Sequence, residues 1–118
     1  MSDSLMQLTR EGDVEILRLT LPEQLESLEF NTLNESLRAA IEADRSGKWI
    51  LDLSGVDYAG SSVLGLIVNI RQWIKQGGGQ LVLCGMSTRL TDIFRACSLE
   101  RLFTITRTRA DAIRRTTT

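Results

Sequence analysis

The stretch Val56–Gly85, VDYAGSSVLGLIVNIRQWIKQGGGQLVLCG, contains a loop, a helix, a glycine stop and a strand in direct succession. After the Gly-Ser-Ser sequence, apolar side chains recur at helical spacing: Val63, Leu66, Ile67, Ile70 and Ile74. Gly77–Gly79 end this predicted helix. The following QLVLCG has apolar residues on both faces, which is typical of a parallel strand covered by helices on both sides. This stretch therefore predicts an α/β fold.

The chain before this stretch fits the same fold. VEILRLTL, Val14–Leu21, predicts a strand, and a weaker strand around Met6–Thr9 precedes it through a hairpin turn at Gly12-Asp13. An amphipathic helix is predicted over Ser27–Asp44, with Gly47 as its stop. KWILDLSGV then predicts a short apolar strand that ends at Ser54-Gly55.

After QLVLCG, Ser87 or Thr88 is expected to cap a third helix, whose apolar stripe is Leu90, Ile93, Phe94 and Cys97. LFTI predicts a last short strand, and residues 109–115 a weak final helix.

The order β-β-α-β-α-β-α-β-α predicts parallel strands joined by right-handed crossovers, with the first strand antiparallel at an edge. We expect one α/β domain over residues 1–118, with a mixed, mostly parallel sheet of four to five strands and about four helices. Its core spans about 14–112, and 113–118 are expected to be a disordered tail.

Composition excludes several classes of function. The 118 residues are 42% hydrophobic and 25% charged, as in globular proteins, and the net charge of -1 gives no basic excess for nucleic-acid binding. The chain has no histidine, which excludes a Ser-His-Asp triad and imidazole metal ligands. No apolar run approaches the ~20 residues of a membrane span, and the N-terminus has no signal-peptide core. Cys84 and Cys97 lie in apolar patterns and predict reduced core residues of a cytosolic protein.

Ser61 and Ser62 precede the helical stripe, and two explanations fit them. A serine at a helix N-cap accepts a backbone hydrogen bond, which stabilises the helix by ~1 kcal/mol, so one of the pair is expected to cap. The alternative is a switch, because the helix N-terminus accommodates the negative charge of a phosphate. On the local pattern alone, capping is the better explanation.

No catalytic or cofactor motif is found around these serines. GSSVLG is neither GxGxxG nor GxxxxGK[ST], and the three glycines follow a helix instead of preceding one. Lys75 lies about four turns along the helix from the serines, too far to serve as their base. Asp52 and Asp57 form a possible carboxylate pair, although loop residues that accept backbone N–H groups are the better interpretation. We therefore expect no enzyme activity, no cofactor and no metal site.

The order of these motifs resembles the STAS domain, the fold of bacterial anti-sigma factor antagonists and of the cytoplasmic tails of sulphate transporters. The resemblance runs from Val14 to about Ala112 and includes the strand that ends in Asp52-Leu53-Ser54, the serine loop, Gly78-Gly79 before a strand, and STRLTDIFRACSLERLF. In that family the loop reads Asp-Ser-Ser/Thr-Gly-Leu-Gly, and a serine-kinase anti-sigma factor phosphorylates the first hydroxyl residue. The resemblance implies Ser61 as the phosphoacceptor, with Ser62 as second choice.

Two positions depart from the family loop. Gly60 stands where the family has Asp, and Val63 where it has Gly, while Leu64 and Gly65 match. The loss of the carboxylate and the added branched side chain both disfavour phosphate transfer more than they disfavour binding.

The resemblance implies an anti-sigma factor antagonist that docks on an ATP-binding, serine-kinase anti-sigma factor and frees a sigma factor. The docking residues would be Tyr58, Ala59, Gly60, Ser61, Ser62, Val63 and Leu64. The alternative is a constitutive STAS adaptor of a lipid-transport ABC system or a stress-sensing scaffold, without phosphorylation. In either role we expect a cytoplasmic monomer or weak dimer. Trp73 lies at the edge of the apolar stripe, either flanking the core or anchoring a partner.

Overall fold

The computed structural model describes residues 5–44 and 47–117. The chain begins with a β-hairpin of β1 (Met6–Glu11) and β2 (Val14–Thr20), which pair antiparallel as predicted. Gly12 in the turn has a φ of 64°, a conformation that glycine adopts without steric cost. Residues 1–4, 45, 46 and 118, which the predicted domain also includes, lie outside the described residues.

The remaining elements follow the predicted order. They are α1 (Ser27–Glu42), β3 (Lys48–Gly55), α2 (Ser61–Gln76), β4 (Gln80–Cys84), α3 (Thr88–Ala96), a 3₁₀ turn (Leu99–Leu102), β5 (Thr104–Ile105) and α4 (Arg109–Thr117). The sheet order is β1-β2-β3-β4-β5, and every pair after the hairpin is parallel. The predicted α/β class, with four helices and a five-stranded mixed sheet, is confirmed.

The core lies on both faces of the sheet. Successive right-handed crossovers between neighbouring strands place α1, α2 and α3 on one face. There, their buried residues pack with Leu17, Leu51 and Leu83 of the sheet. The opposite face carries a smaller cluster, in which Ile16, Ile50 and Val82 pack with Ala112 of α4. The prediction that helices cover both faces is therefore confirmed, with α4 alone on the second face.

The ends of several elements differ from the predictions. Helix α1 stops at Glu42 with Ala43 as its C-cap, so Gly47 is not the stop signal. Helix α4 continues to Thr117, through most of the segment that the sequence assigns to a disordered tail. Thr116 is 3% exposed, and its Oγ1 donates to the Ile113 carbonyl at 2.8 Å. Packing against β3 and β4 gives this short helix the stability that its sequence lacks.

The two cysteines lie in different environments. Cys84 is fully buried, and burial raises the pKa of its thiol to about 11. Cys97 is the C-cap of α3 and is exposed, so the prediction that it is a core residue is wrong. Its place in the apolar stripe falls one residue beyond the last helical turn, where the chain has already changed direction. Trp49 is buried and structural, and its Nε1 donates to the Asp44 carbonyl at 2.7 Å.

Candidate partner-binding surface at the start of helix α2

Helix α2 begins without a side-chain cap. Gly60 is the N-cap, with an extended backbone, and its carbonyl accepts the first helical hydrogen bond from the Leu64 N–H at 3.0 Å. Ser61 is thus the first helical residue and Ser62 the second. The capping role predicted for one of the two serines is wrong, because a capping side chain must belong to the residue just before the helix. Ser87 does have this position in α3 and accepts from the Leu90 N–H at 3.0 Å, as predicted.

Capping therefore occupies neither serine hydroxyl. Both side chains are exposed, and within residues 5–44 and 47–117 neither hydroxyl makes a hydrogen bond. The free backbone N–H groups of the first turn lie at the same end of the helix, where the helix dipole favours negative charge. The start of α2 thus presents two free hydroxyl groups in a setting that tolerates an anion.

The other predicted docking residues are placed unequally. Tyr58 is 37% exposed, and Gly60 is half-buried. Ala59 is 3% exposed and belongs to the core, so its side chain offers no surface to a partner. Val63 and Leu64 are half-buried and pack against the core with part of their surface. Val63 therefore does not stand free in front of the serines.

A groove of about 660 Å³ separates the start of α2 from the start of α1. Leu25, Phe30 and Val63 give it an apolar part. Ten described residues line it, of which one, Glu23, is acidic and none is basic. Leu28 follows Ser27 of the lining and is 78% exposed, the largest exposure of any large apolar side chain among the described residues. A groove with an apolar part beside an exposed leucine is typical of protein-binding surfaces.

Arg89 of α3 holds the loop before α2. Its Nη1 lies 3.1 Å from Asp57 Oδ2 and 3.5 Å from Glu23 Oε2, and its guanidinium stands 4.8 Å from the centre of the Tyr58 ring. The hydrogen bond to Asp57 raises the pKa of the guanidinium further. Ser87 adds a hydrogen bond of 3.4 Å to the Asp57 carbonyl. The start of α3 thus joins the two loops that flank the groove.

Asp52 and Asp57 do not act as a pair, because each has its own partner. Asp52 Oδ1 accepts from the Ser54 N–H at 2.9 Å, as expected for a residue that orders a loop. Its Oδ2 accepts from Arg109 Nη2 at 2.7 Å and Nε at 3.2 Å. Burial raises the pKa of Asp52, but the Ser54 N–H and Arg109 lower it more, so the net pKa lies below its ordinary value.

Arg38 stands over Trp73, with its guanidinium 6.0 Å from the ring centre. Trp73 is half-buried against the core, which fits the core-flanking interpretation.

In the part of the chain that the structure describes, no three His, Cys, Asp or Glu residues converge as metal ligands. No helix there combines the length and the apolar character needed to cross a bilayer.

Comparison with known proteins identifies the family of this fold. Residues 6–112 match the STAS domain family, so the chain belongs to that family. Its structure is similar to an anti-sigma-factor antagonist (STAS) domain protein from Planctomyces limnophilus, with a TM-score of 0.82 and 22% identity over 96% of this chain and 98% of that one. A putative anti-sigma factor antagonist from Thermotoga maritima gives the same TM-score, with 23% identity over 99% and 98%. The unphosphorylated form of the anti-sigma factor antagonist SpoIIAA gives 0.70, with 19% identity over 93% and 94%.

Sequence reasoning missed the second wall of the groove and Arg89. Leu28 carried a usable signal, because it is a large apolar residue off the buried stripe of α1 (Leu33, Leu37 and Ile41). Arg89 carried none, since its partners Asp57 and Glu23 are 32 and 66 residues away along the chain.

Proposed function

We propose that this protein is an anti-sigma factor antagonist that binds an ATP-binding, serine-kinase anti-sigma factor through the start of α2. Docking on that partner would release a sigma factor for transcription. The observation that carries the proposal is Ser61, an exposed residue in the first turn of α2 whose hydroxyl is not used in capping. Because the N-cap position belongs to Gly60, the Ser61 hydroxyl stays available for modification. The proposed contact residues are Tyr58, Gly60, Ser61, Ser62, Val63 and Leu64, with Leu28 as an added apolar anchor.

The surroundings of Ser61 give the direction of the proposed switch. A phosphate there adds about −1.5 to −2 charges at the favourable end of a helix, so the free domain tolerates it. The described residues that line the groove include no basic side chain, and Arg89 beside it is already paired with Glu23 and Asp57. A partner that closes over the groove would have to desolvate the phosphate. Phosphorylation of Ser61 is therefore expected to weaken docking without unfolding the domain.

Both departures from the family loop bear on phosphate transfer. Gly60 provides no carboxylate beside Ser61. An added Cβ at this position would meet just one atom within 4 Å, Tyr58 Cε2 at 3.9 Å. The aspartate of the family would thus fit, and Gly60→Asp is expected to raise the rate of phosphorylation. Val63 is half-buried against the core, so it blocks the approach to Ser61 less than its sequence position indicates.

Names of structural neighbours support the proposal at the level of the family. Solved relatives with this fold are described as anti-sigma factor antagonists, and SpoIIAA is described in its unphosphorylated form. We infer a regulatory, non-catalytic role in the cytoplasm, where a kinase partner has ATP. The described residues offer no acid-base or nucleophile-base arrangement at Ser61 for a reaction of its own.

The direct test is intact mass after incubation with ATP and the serine-kinase anti-sigma factor of the host, with Ser61→Ala as control. One phosphate on the wild type and none on Ser61→Ala is the expected result. Ser62→Ala should still accept the phosphate.

Binding measured by calorimetry should be weaker for Ser61→Asp than for Ser61→Asn, which keeps the size but lacks the charge. Equal affinities of these two variants would contradict the charge mechanism.

Gly60 favours a second candidate function, a constitutive STAS adaptor in a lipid-transport ABC system or a stress-sensing scaffold. A loop without the family aspartate is no handicap to a protein that binds without being phosphorylated. A stable complex with no gain of phosphate would support this role. Loss of that complex in Leu28→Asp would show that the same surface is used.

A further inference from the structure

The charges of this protein are divided between the two halves of the chain. Residues 1–70 contain five Lys and Arg against twelve Asp and Glu, whereas residues 71–118 contain nine against three. The net charges of these halves are therefore −7 and +6. Because the sheet order follows the chain order, the division along the sequence becomes a division across the sheet. The side of the molecule formed by β1, β2 and α1 is acidic, and the side around β4 and β5 is basic.

Basic residues flank β5 on both faces of the sheet. On the face of α2, a concavity of about 250 Å³ is lined by Arg71 and Lys75 together with Leu102 and Thr104. On the face of α4, a concavity of about 420 Å³ is lined by Arg107, Arg114 and Arg115 together with Thr106 and Asp111. The strand lies between two basic concavities.

Strand β5 itself is an open edge. It pairs with β4 on one side, and it is the last strand of the sheet. The Thr106 N–H, just beyond it, donates to the Leu83 carbonyl at 2.8 Å. Since backbone groups alternate along a strand, the N–H and C=O of the preceding residue, Ile105, point away from β4. The side chain of Ile105 is 39% exposed, and that of Leu102 is 40% exposed.

We propose that this edge, the β5 edge, binds an acidic, extended segment of a partner protein, which adds to the sheet as a further strand. Successive side chains of an added strand point to opposite faces. Acidic side chains at neighbouring positions would thus meet Lys75 and Arg71 on one face and Arg107 on the other. Main-chain hydrogen bonds to Ile105 supply the register, and the two basic concavities select for acidic sequences.

A second copy of this chain fits the edge less well. Five of the twelve acidic residues of the N-terminal half lie on helix α1 or just before it, and the others are scattered along the chain. They do not form an extended acidic segment, and the exposed edge strand β1 (MQLTRE) contains one acid and one base. The β5 edge also lies across the sheet from the surface of Leu28 and α1. This binding site is therefore separate from the proposed anti-sigma factor contact.

The probe is a short fluorescein-labelled peptide in which pairs of acidic residues flank a valine. Its binding to the protein is measured by fluorescence anisotropy. We expect binding that weakens as salt is raised to about 0.15 M, because exposed charges are screened over about 8 Å there. Lys75→Glu and Arg107→Glu should each weaken binding by about tenfold, since like charges oppose docking. Arg38→Glu, an exposed reversal on α1, is the matched control and should change affinity less than about twofold. Lys75 and Arg107 are exposed, and unchanged circular dichroism and urea unfolding of each variant would show that folding is intact.

Strand addition is tested with the same peptide carrying backbone N-methyl groups at alternate residues. It keeps its charges and loses the N–H groups needed for pairing, so we expect at least about tenfold weaker binding. Amide shifts in ¹⁵N–¹H spectra of the protein should concentrate at residues 103–106. Equal affinity of the N-methylated peptide, or shifts spread over all basic residues, would overturn the proposal. So would association with phosphatidylserine vesicles, or self-association, that depends on Lys75 while the peptide fails to bind.

Discussion

Arg109 of α4 binds Asp52 of β3 across 57 residues of sequence, with Nη2 2.7 Å from Oδ2. The carboxyl side chain is 8% exposed, whereas the guanidinium side chain is 41% exposed. Asp52 also receives the Ser54 N–H, so the same carboxylate joins the last helix to the loop that leads into α2. Arg109 is therefore a structural residue, in a helix that the sequence predicts to be weak.

We expect Arg109→Ala to destabilise the domain by about 2 kcal/mol, because it leaves a buried carboxylate without its cation. Water that reaches the exposed side of the pair makes the loss smaller than for a fully buried pair. Equilibrium urea unfolding measures the effect. Arg95→Ala, which removes an exposed arginine from α3, should change the free energy of unfolding by less than about 0.5 kcal/mol. Equal losses in the two variants would contradict a structural role for the Arg109–Asp52 pair.

The Arg109–Asp52 pair also makes the free energy of unfolding depend on pH. The pKa of Asp52 in the folded state lies below its ordinary value of 3.8, so the unfolded chain takes up a proton first as the pH falls. The stabilisation is therefore complete above the ordinary pKa and is lost as the pH falls through the lower, folded-state pKa. The difference in free energy of unfolding between wild type and Asp52→Asn should be largest near about pH 7 and should shrink at about pH 3. A difference that does not change over this range would show that Asp52 is not a paired carboxylate in the folded protein.

The contact of Arg89 with Tyr58 predicts that loss of Arg89 makes this tyrosine more reactive. Tyr58 is the single tyrosine of the chain. Without the guanidinium against its ring, Tyr58 should be nitrated by tetranitromethane roughly two- to fivefold faster in Arg89→Ala. Arg89→Lys keeps the charge and should give an intermediate rate, because an ammonium cannot stack flat on the ring. Mass spectrometry gives the rate without ambiguity, since no other tyrosine competes. Arg95→Ala is again the control on the same helix, and the same acceleration there would refute the specific contact.

The cysteines should differ in reactivity. Iodoacetamide at about pH 8 is expected to label the native protein once, at the exposed Cys97, while the buried Cys84 with its raised pKa stays unmodified. Cys97→Ser should then accept no label until the protein is unfolded in urea. Labelling of both thiols in the native state would contradict the closed packing around α4.

The local features of this chain were encoded in its sequence. The apolar stripe of α2, the glycines after it and the alternation of strands and helices predicted the element order, because each depends on residues within a few positions. The resemblance to the STAS domain indicated the loop from Tyr58 to Leu64 as the candidate docking site. The sequence pattern could not show that Gly60 instead of a serine precedes the first helical turn, since this depends on the path by which β3 enters the loop.

Tertiary structure decided what surrounds these elements. Arg109 reaches Asp52, and Arg89 reaches Asp57, because parallel strands bring the carboxyl ends of β3 and β4 to one edge of the sheet. Tertiary packing also left Cys97 exposed and Thr116 buried, which their local sequence patterns did not indicate. The sequence by itself thus determined the elements and the candidate site. Which residues of other elements contact that site was decided by packing between residues far apart in the chain. No local sequence pattern encodes such contacts.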